Sequence, residues 1–190
     1  MAIQVDIQTL IIENDWANWM PLSSTQIGAI GENLLVNAVM KASDGRLSPF
    51  QPLADDDGLD VLFFDKLTGN SAAIQLKCRR EALFKPGTKE RGNSVHFEVR
   101  KSTFNDARRA YLVAALFNEE MTHFIATWFM PLALLPHVAR NSADKWVIRA
   151  SKATNTADRF ITYRCLTDHE LALRIIAICE TGMPTVVEPN

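Results

Sequence analysis

The sequence predicts a mixed α/β domain, a mixed sheet flanked by helices, and three observations carry that expectation. A capped amphipathic segment lies at about residues 23–43. Short apolar or alternating runs, separated by Gly, Asn and Asp turns, fill residues 59–129. A last amphipathic segment spans about 167–179. With 190 residues, 47% hydrophobic and 22% charged, the chain can bury one sizeable core, which excludes intrinsic disorder. One domain over 1–190 is therefore expected, with a leader at 1–22, a core at 23–130, a C-terminal elaboration at 131–182 and a tail at 183–190.

The elements follow in order. Pro21 and the run Ser23, Ser24, Thr25 make a helix start, and Ile27, Ile30, Leu34 and Ala38 then recur on one face. Ser43, Asp44 and Gly45 end that helix. The stretch from Pro49 to Gly58 reads as a loop. Leu59 to Phe64 and Ala72 to Cys78 form an antiparallel hairpin about the turn Thr68, Gly69, Asn70. A polar loop over 81–93 precedes Ser94 to Arg100, in which Val95, Phe97 and Val99 alternate with His96, Glu98 and Arg100 as in a half-buried strand. A short helix is expected over Thr103 to Arg109, then strands at Tyr111 to Phe117 and Thr122 to Phe129. Another short helix follows Pro131, with strands at Lys145 to Ala150 and Arg159 to Arg164 and a helix from Thr167 to Cys179. The tail after Gly182 is expected to fray.

Composition narrows the function classes. Three separated cysteines, Cys78, Cys165 and Cys179, include no C-x-x-C pair and suggest neither a disulfide framework nor a zinc knuckle. The N-terminus lacks a basic flank before its apolar run, unlike a signal peptide, and the most apolar tract is too broken by prolines for a membrane span. A cytoplasmic protein is the expectation. The net charge of −2 argues against a DNA coater, yet the charge is unevenly spread. Residues 1–65 hold two basic residues and ten acids, whereas residues 77–109 hold ten basic residues and four acids. A solvated face explains such a pattern as well as a cation site beside a phosphate-binding tract does.

Four residues stand out on these elements, and two of them can meet one ligand together. Gln75 and Lys77, two apart in a strand, leave one face while Ile74, Leu76 and Cys78 pack on the other. Asp60 opens the strand paired with them. Glu32 lies about 140° round the helix from Ile27, beside Leu35 and Val39. The segments GAIGENLL (28–35), DDGLDVLFF (56–64) and AIQLKCR (73–79) resemble the PD-(D/E)XK nuclease superfamily, and more closely its Mrr-type restriction and Holliday-junction-resolvase-like branches. The resemblance covers roughly residues 24–130. It implies a restriction-endonuclease-like αβββαβ core that presents an acid from the first helix, an Asp on the second strand and a D/E/Q-x-K on the third. Gln75 stands where most members carry Asp or Glu, and Mrr-like members also use Gln there.

What the resemblance implies is a divalent-metal-dependent endonuclease acting on DNA in restriction, defence or repair. RNA or branched DNA are further substrates to consider, and a homodimer is a further assembly. Glu32, Asp60, Gln75 and the Leu76 carbonyl would ligate Mg²⁺ or Mn²⁺ through oxygen, the donor these ions prefer. Lys77 would orient or help deprotonate the attacking water. Arg79, Arg80, Lys85, Lys89 and Arg91 would grip flanking phosphates without reading sequence.

Plainer readings stand beside each role. Glu32 is also read as a surface residue, Asp60 as a turn residue bonding local amides, and Gln75 with Lys77 as the exposed face of an edge strand. Cys78 is expected to pack rather than react, and Trp16 and Trp19 to clasp the core or a second copy. His123, His137 and His169 are read as surface or satisfied core residues, with His96 near enough to the basic loop to touch a phosphate. Asp57 is a candidate for a supporting role behind the ligands. The alternative function is a weak or inactive nuclease fold that binds nucleic acid or a partner, and a third is an accessory interaction protein.

Overall fold

The computed structural model describes residues 21–53, 58–105 and 107–181. The expectations about Trp16, Trp19, Asp57 and the tail after Gly182 lie outside the described residues.

Helix α1 (Ser24–Ala42) starts on a reciprocal capping box. The Ser23 hydroxyl accepts the Gln26 N–H at 3.2 Å, and Gln26 Oε1 accepts the Ser23 N–H at 2.8 Å. It ends where Asp44 and Gly45 turn into positive φ. Its buried stripe is Gly31, Leu35 and Val39, so the expected face of Ile27, Ile30, Leu34 and Ala38 is only half-buried. The cause is Gly31: without a side chain there, the helix lies directly on Cys78 and Phe117, and the contact line moves round by one residue.

Strand β1 (Leu47–Phe50), part of it read from the sequence as a loop, opens a six-stranded sheet. It is four residues long and contains Pro49, which a strand tolerates at a sheet edge. The expected hairpin forms as β2 (Val61–Asp65) and β3 (Ser71–Arg79), antiparallel, with Gly69 at φ 74 in the turn. Counted with β1, Asp60 leads into the second strand and Gln75 and Lys77 lie on the third.

The chain then leaves the sheet to form β4 (Ser94–Arg100) and returns as β5 (Ala110–Phe117), parallel to β3. The expected helix over Thr103–Arg109 does not form; a single 3₁₀ turn, Lys101–Thr103, stands in its place. Phe104 leaves that turn in an extended conformation and packs edge-on against Trp146, with ring centroids 6.1 Å apart, drawing the segment into the core. Strand β6 (Phe124–Pro131) pairs antiparallel with β5. A 3₁₀ turn and helix α2 (Leu135–Val138) follow, then β7 (Arg140–Asn141) and β8 (Lys145–Ser151), which make a second sheet in the order β4-β8-β7. The expected strand Arg159–Arg164 shrinks to β9 (Arg164–Cys165) after a 3₁₀ turn at Ile161–Tyr163. Asp158 folds that segment by accepting the amides of Ser151 at 2.6 Å and Phe160 at 3.1 Å. Helix α3 (Asp168–Thr181) closes the described chain.

Two cores flank the six-stranded sheet. On one face α1 and α3 cover Phe63, Ile74, Leu76 and Val113 with Leu35, Val39, Leu171 and Ile175. On the other, the second sheet places Val95, Phe97 and Ile148 against Leu112, Trp128 and Met130. All eight residues of β5 are buried, and residues 110–116 alternate between the two cores, as a strand covered on both faces must. The fold is thus a mixed α/β sheet with few helices.

Candidate active site

The site arises because β2 is shorter than β3. Strand β2 pairs with residues 71–74 of β3, whereas β3 runs on to Arg79, so its last five residues have no β2 neighbour. At the fork, the Asp60 N–H donates to the Ile74 carbonyl at 2.9 Å and the Asp60 carboxylate accepts the Leu76 N–H at 2.5 Å. By strand alternation the Leu76 carbonyl faces the same gap as its amide. The gap opens to both faces of the sheet. Glu32 reaches it from α1 on one side, and Gln75 and Lys77 from β3 on the other.

Glu32, Asp60, Gln75, Leu76 and Lys77 all line one cavity of about 1000 Å³. Gln75 is 3% exposed on a strand interior to the sheet, which sets aside the edge-strand reading. Its amide packs on Gly58, where a Cβ would lie 2.8 Å from Gln75 Nε2 and 3.1 Å from Thr103 Cβ. Gly58 also has φ 67, so close approach and backbone both require glycine there. Among the described residues, Gln75 and Lys77 make no side-chain hydrogen bond or ion pair. Cys78 lies on the core side of β3. Burial first, and then the negative charges of Asp60 and Glu32, push its thiol up to about 12, so it stays protonated at neutral pH and packs rather than attacks.

The donor set is all oxygen, which fits a hard divalent cation. No three His, Cys, Asp or Glu side chains cluster to hold a metal by themselves among the described residues. A cation held by Glu32 and Asp60 would take the Gln75 amide oxygen and the Leu76 carbonyl as its further protein donors.

The basic residues divide. Arg79, Arg80 and Arg91 line the cavity, whereas Lys85 and Lys89 lie outside it. Arg79 Nε is committed to the His96 carbonyl at 2.8 Å. Lys85 pairs with Glu90 at 2.7 Å and Arg91 with Glu81, so the loop neutralises part of its own charge.

Sequence reasoning missed the opposite wall, where Glu98, Arg100 and Lys145 of the second sheet face the same cavity. Lys145 donates to Glu98 at 3.0 Å and His96 lies 3.2 Å from the other carboxylate oxygen. Lys145 first, and then His96, hold the Glu98 carboxyl below the usual carboxylate range. The polar alternation of His96, Glu98 and Arg100 was the one signal in the sequence. Nothing local told that this strand pairs with β8 and turns that face toward Glu32 and Asp60.

No family model matches the chain, and no curated protein does. No helix among the described residues is long and apolar enough to cross a membrane. Solved structures do match. A bacterial homing endonuclease is similar at 19% identity and a TM-score of 0.53, over 84% of this chain and 98% of that one. A Holliday junction resolvase from the archaeal hyperthermophile Archaeoglobus fulgidus aligns over 72% of this chain and 97% of that one, at 11% identity and a TM-score of 0.39. The architecture is the one that the resemblance of the three sequence segments implies: the chain has a restriction-endonuclease-like fold.

Proposed function

We propose that the protein is a divalent-metal-dependent endonuclease that hydrolyses phosphodiester bonds of DNA. The observation that carries this reading is the meeting of Glu32, Asp60, Gln75 and Lys77, from three elements, in one open cavity with Arg79, Arg80 and Arg91 on its rim. Glu32 and Asp60 supply negative charge to hold Mg²⁺ or Mn²⁺, with Gln75 and the Leu76 carbonyl as neutral donors. A bound cation supplies charge neutralisation at the phosphate and a more acidic water. Asp60 is fixed in the cavity wall by the Leu76 amide. Lys77 positions the attacking water and offsets charge that builds on the phosphate oxygens. The arginines hold flanking phosphates in register.

Purified protein incubated with plasmid and Mg²⁺ or Mn²⁺ tests the reading. Nicking or linearisation that disappears in EDTA and in Lys77→Ala is expected, and cleavage unaffected by Lys77→Ala would overturn the assignment.

One observation favours a second reading. With Gln75 in place of an acid, the proposed ligand set holds only the two carboxylates of Glu32 and Asp60, and a neutral donor binds a cation more weakly than a charged one. The protein would then bind nucleic acid without cutting it. Its signature is binding that weakens steeply with salt and no hydrolysis under any divalent cation.

A further inference from the structure

The loop between β3 and β4 carries an exposed aromatic side chain that the proposed chemistry does not use. Phe84 is 54% exposed and its neighbour Leu83 is 38% exposed. The loop is tied into a hairpin: Phe84 and Arg91 form a β-bridge, Leu83 N–H donates to the Ser94 carbonyl at 2.7 Å, and Gly92 N–H donates to the Leu83 carbonyl at 2.8 Å. The Arg91 guanidinium covers one face of the Phe84 ring, 3.8 Å from its centroid, and is itself held by the Ala82 carbonyl at 3.1 Å and by Glu81. Such a stack fixes the ring orientation. The other ring face has no aromatic or cationic partner among the described residues.

Position and charge say what the ring meets. Leu83, Arg91 and Arg80 line the cavity that holds Glu32, Asp60, Gln75 and Lys77, so the hairpin stands at its rim. Arg80, Lys85, Lys89 and Arg91 outnumber the two acids of the same stretch, Glu81 and Glu90. A flat, rigidly held, half-exposed ring amid excess positive charge suits a planar apolar group carried on a polyanion, which is a nucleobase. A base paired within a duplex has its faces covered by its neighbours; only an unpaired one offers a free face.

We propose that Phe84, backed by Arg91, is a stacking platform for an unpaired base, and that the substrate is DNA carrying an unpaired nucleotide beside the scissile phosphate. This rests on the nuclease reading of the neighbouring site. The platform selects substrates by structure rather than by sequence, since every base has a π-face.

The test compares the full-length protein, in EDTA, on a fully paired duplex and on the same duplex with one extra unpaired 2-aminopurine. Tighter binding of the bulged duplex by about tenfold is expected, with quenching of 2-aminopurine on binding. Phe84→Ala is expected to abolish both the preference and the quenching, and Phe84→Tyr to keep them. Equal binding of the two duplexes, or a preference that survives Phe84→Ala, overturns the platform and leaves the nuclease reading intact. A preference unchanged by Phe84→Ala while self-association falls by light scattering assigns the ring to contacts between copies and also overturns it. Failure to bind either duplex at low salt overturns the nuclease reading and the platform with it.

Discussion

The Asp60 carboxylate accepts the Leu76 amide at 2.5 Å, so a side chain takes the ladder position that β2 leaves empty. The bond does two things. It satisfies a backbone donor at the point where the strands part, and it fixes the Asp60 carboxylate in the wall of the cavity.

Replacing Asp60 therefore separates the two roles. Asp60→Asn retains an acceptor for the Leu76 amide and is expected to keep stability within about 1 kcal/mol. Asp60→Ala leaves that amide without its partner and is expected to cost about 1–3 kcal/mol in urea unfolding. Both are expected to lose Mg²⁺-dependent cleavage. Equal stability of the two variants would show that the bond does not stabilise the fold.

Lys77 makes no ion pair or side-chain hydrogen bond among the described residues, so its removal breaks no described structural contact. Lys77→Met is expected to lower cleavage by about 10²–10⁴-fold while moving the melting temperature by no more than a few degrees. Parallel loss of activity and melting temperature would mean that Lys77 holds the fold rather than the water.

Gly31 sets how near α1 comes to β3. A Cβ there would overlap Cys78 Sγ and lie 3.3 Å from Phe117 Cζ. Gly31→Ala gains about 1 kcal/mol of helix propensity but overpacks the contact at about 1–3 kcal/mol, and it shifts Glu32 with the helix. Net destabilisation and weaker metal binding by calorimetry are expected. Adding Cys78→Ala removes the obstructing sulfur and is expected to recover much of both, a coupling that a double-mutant cycle reads directly. Strict additivity of the two substitutions would exclude the contact as the cause.

Arg46 ties β1, β2 and α3 together. Its guanidinium donates to both oxygens of the fully buried Asp65 at 2.9 and 2.7 Å, and to Glu180 at 2.7 Å. The Arg46 hydrogen bond, helped by the Leu67 amide and the Thr68 hydroxyl, holds the Asp65 carboxyl far below its usual range against the opposing effect of burial. A carboxyl lowered on folding stabilises fully above its unfolded pKa and loses that contribution as pH falls toward its folded value. Thermal stability is expected to fall as the pH drops below about 4. Asp65→Ala is expected to lower the melting temperature at neutral pH by about 5–10 °C and to flatten the acid limb of the pH profile. An unchanged acid limb would place the acid-sensitive group elsewhere.

The parts of the fold that were legible are those whose signals are local. The cap at Ser23, the hairpin about Gly69, the alternation of β4 and the amphipathic α3 rest on periodicity and turn chemistry within about a dozen residues. Strand β1 was lost because four residues with a proline carry no period, and it exists because β2 offers it an edge. The expected helix at Thr103–Arg109 and strand at Arg159–Arg164 failed because Phe104, Phe160 and Tyr163 are pulled into a core assembled from distant strands.

The sequence by itself determined the order of the site residues: Glu32 in a capped helix, Asp60 ahead of an apolar strand, and Gln75 and Lys77 on one face of another. Spacing along one element dictates which side chains share a face. Tertiary structure decided the rest. That β2 stops short of β3, that a second sheet supplies Glu98, Arg100 and Lys145 as a far wall, and that Lys85 and Lys89 fall outside the cavity depend on contacts between residues far apart in the chain. Such contacts depend on how two whole faces pack, and no local pattern encodes that fit.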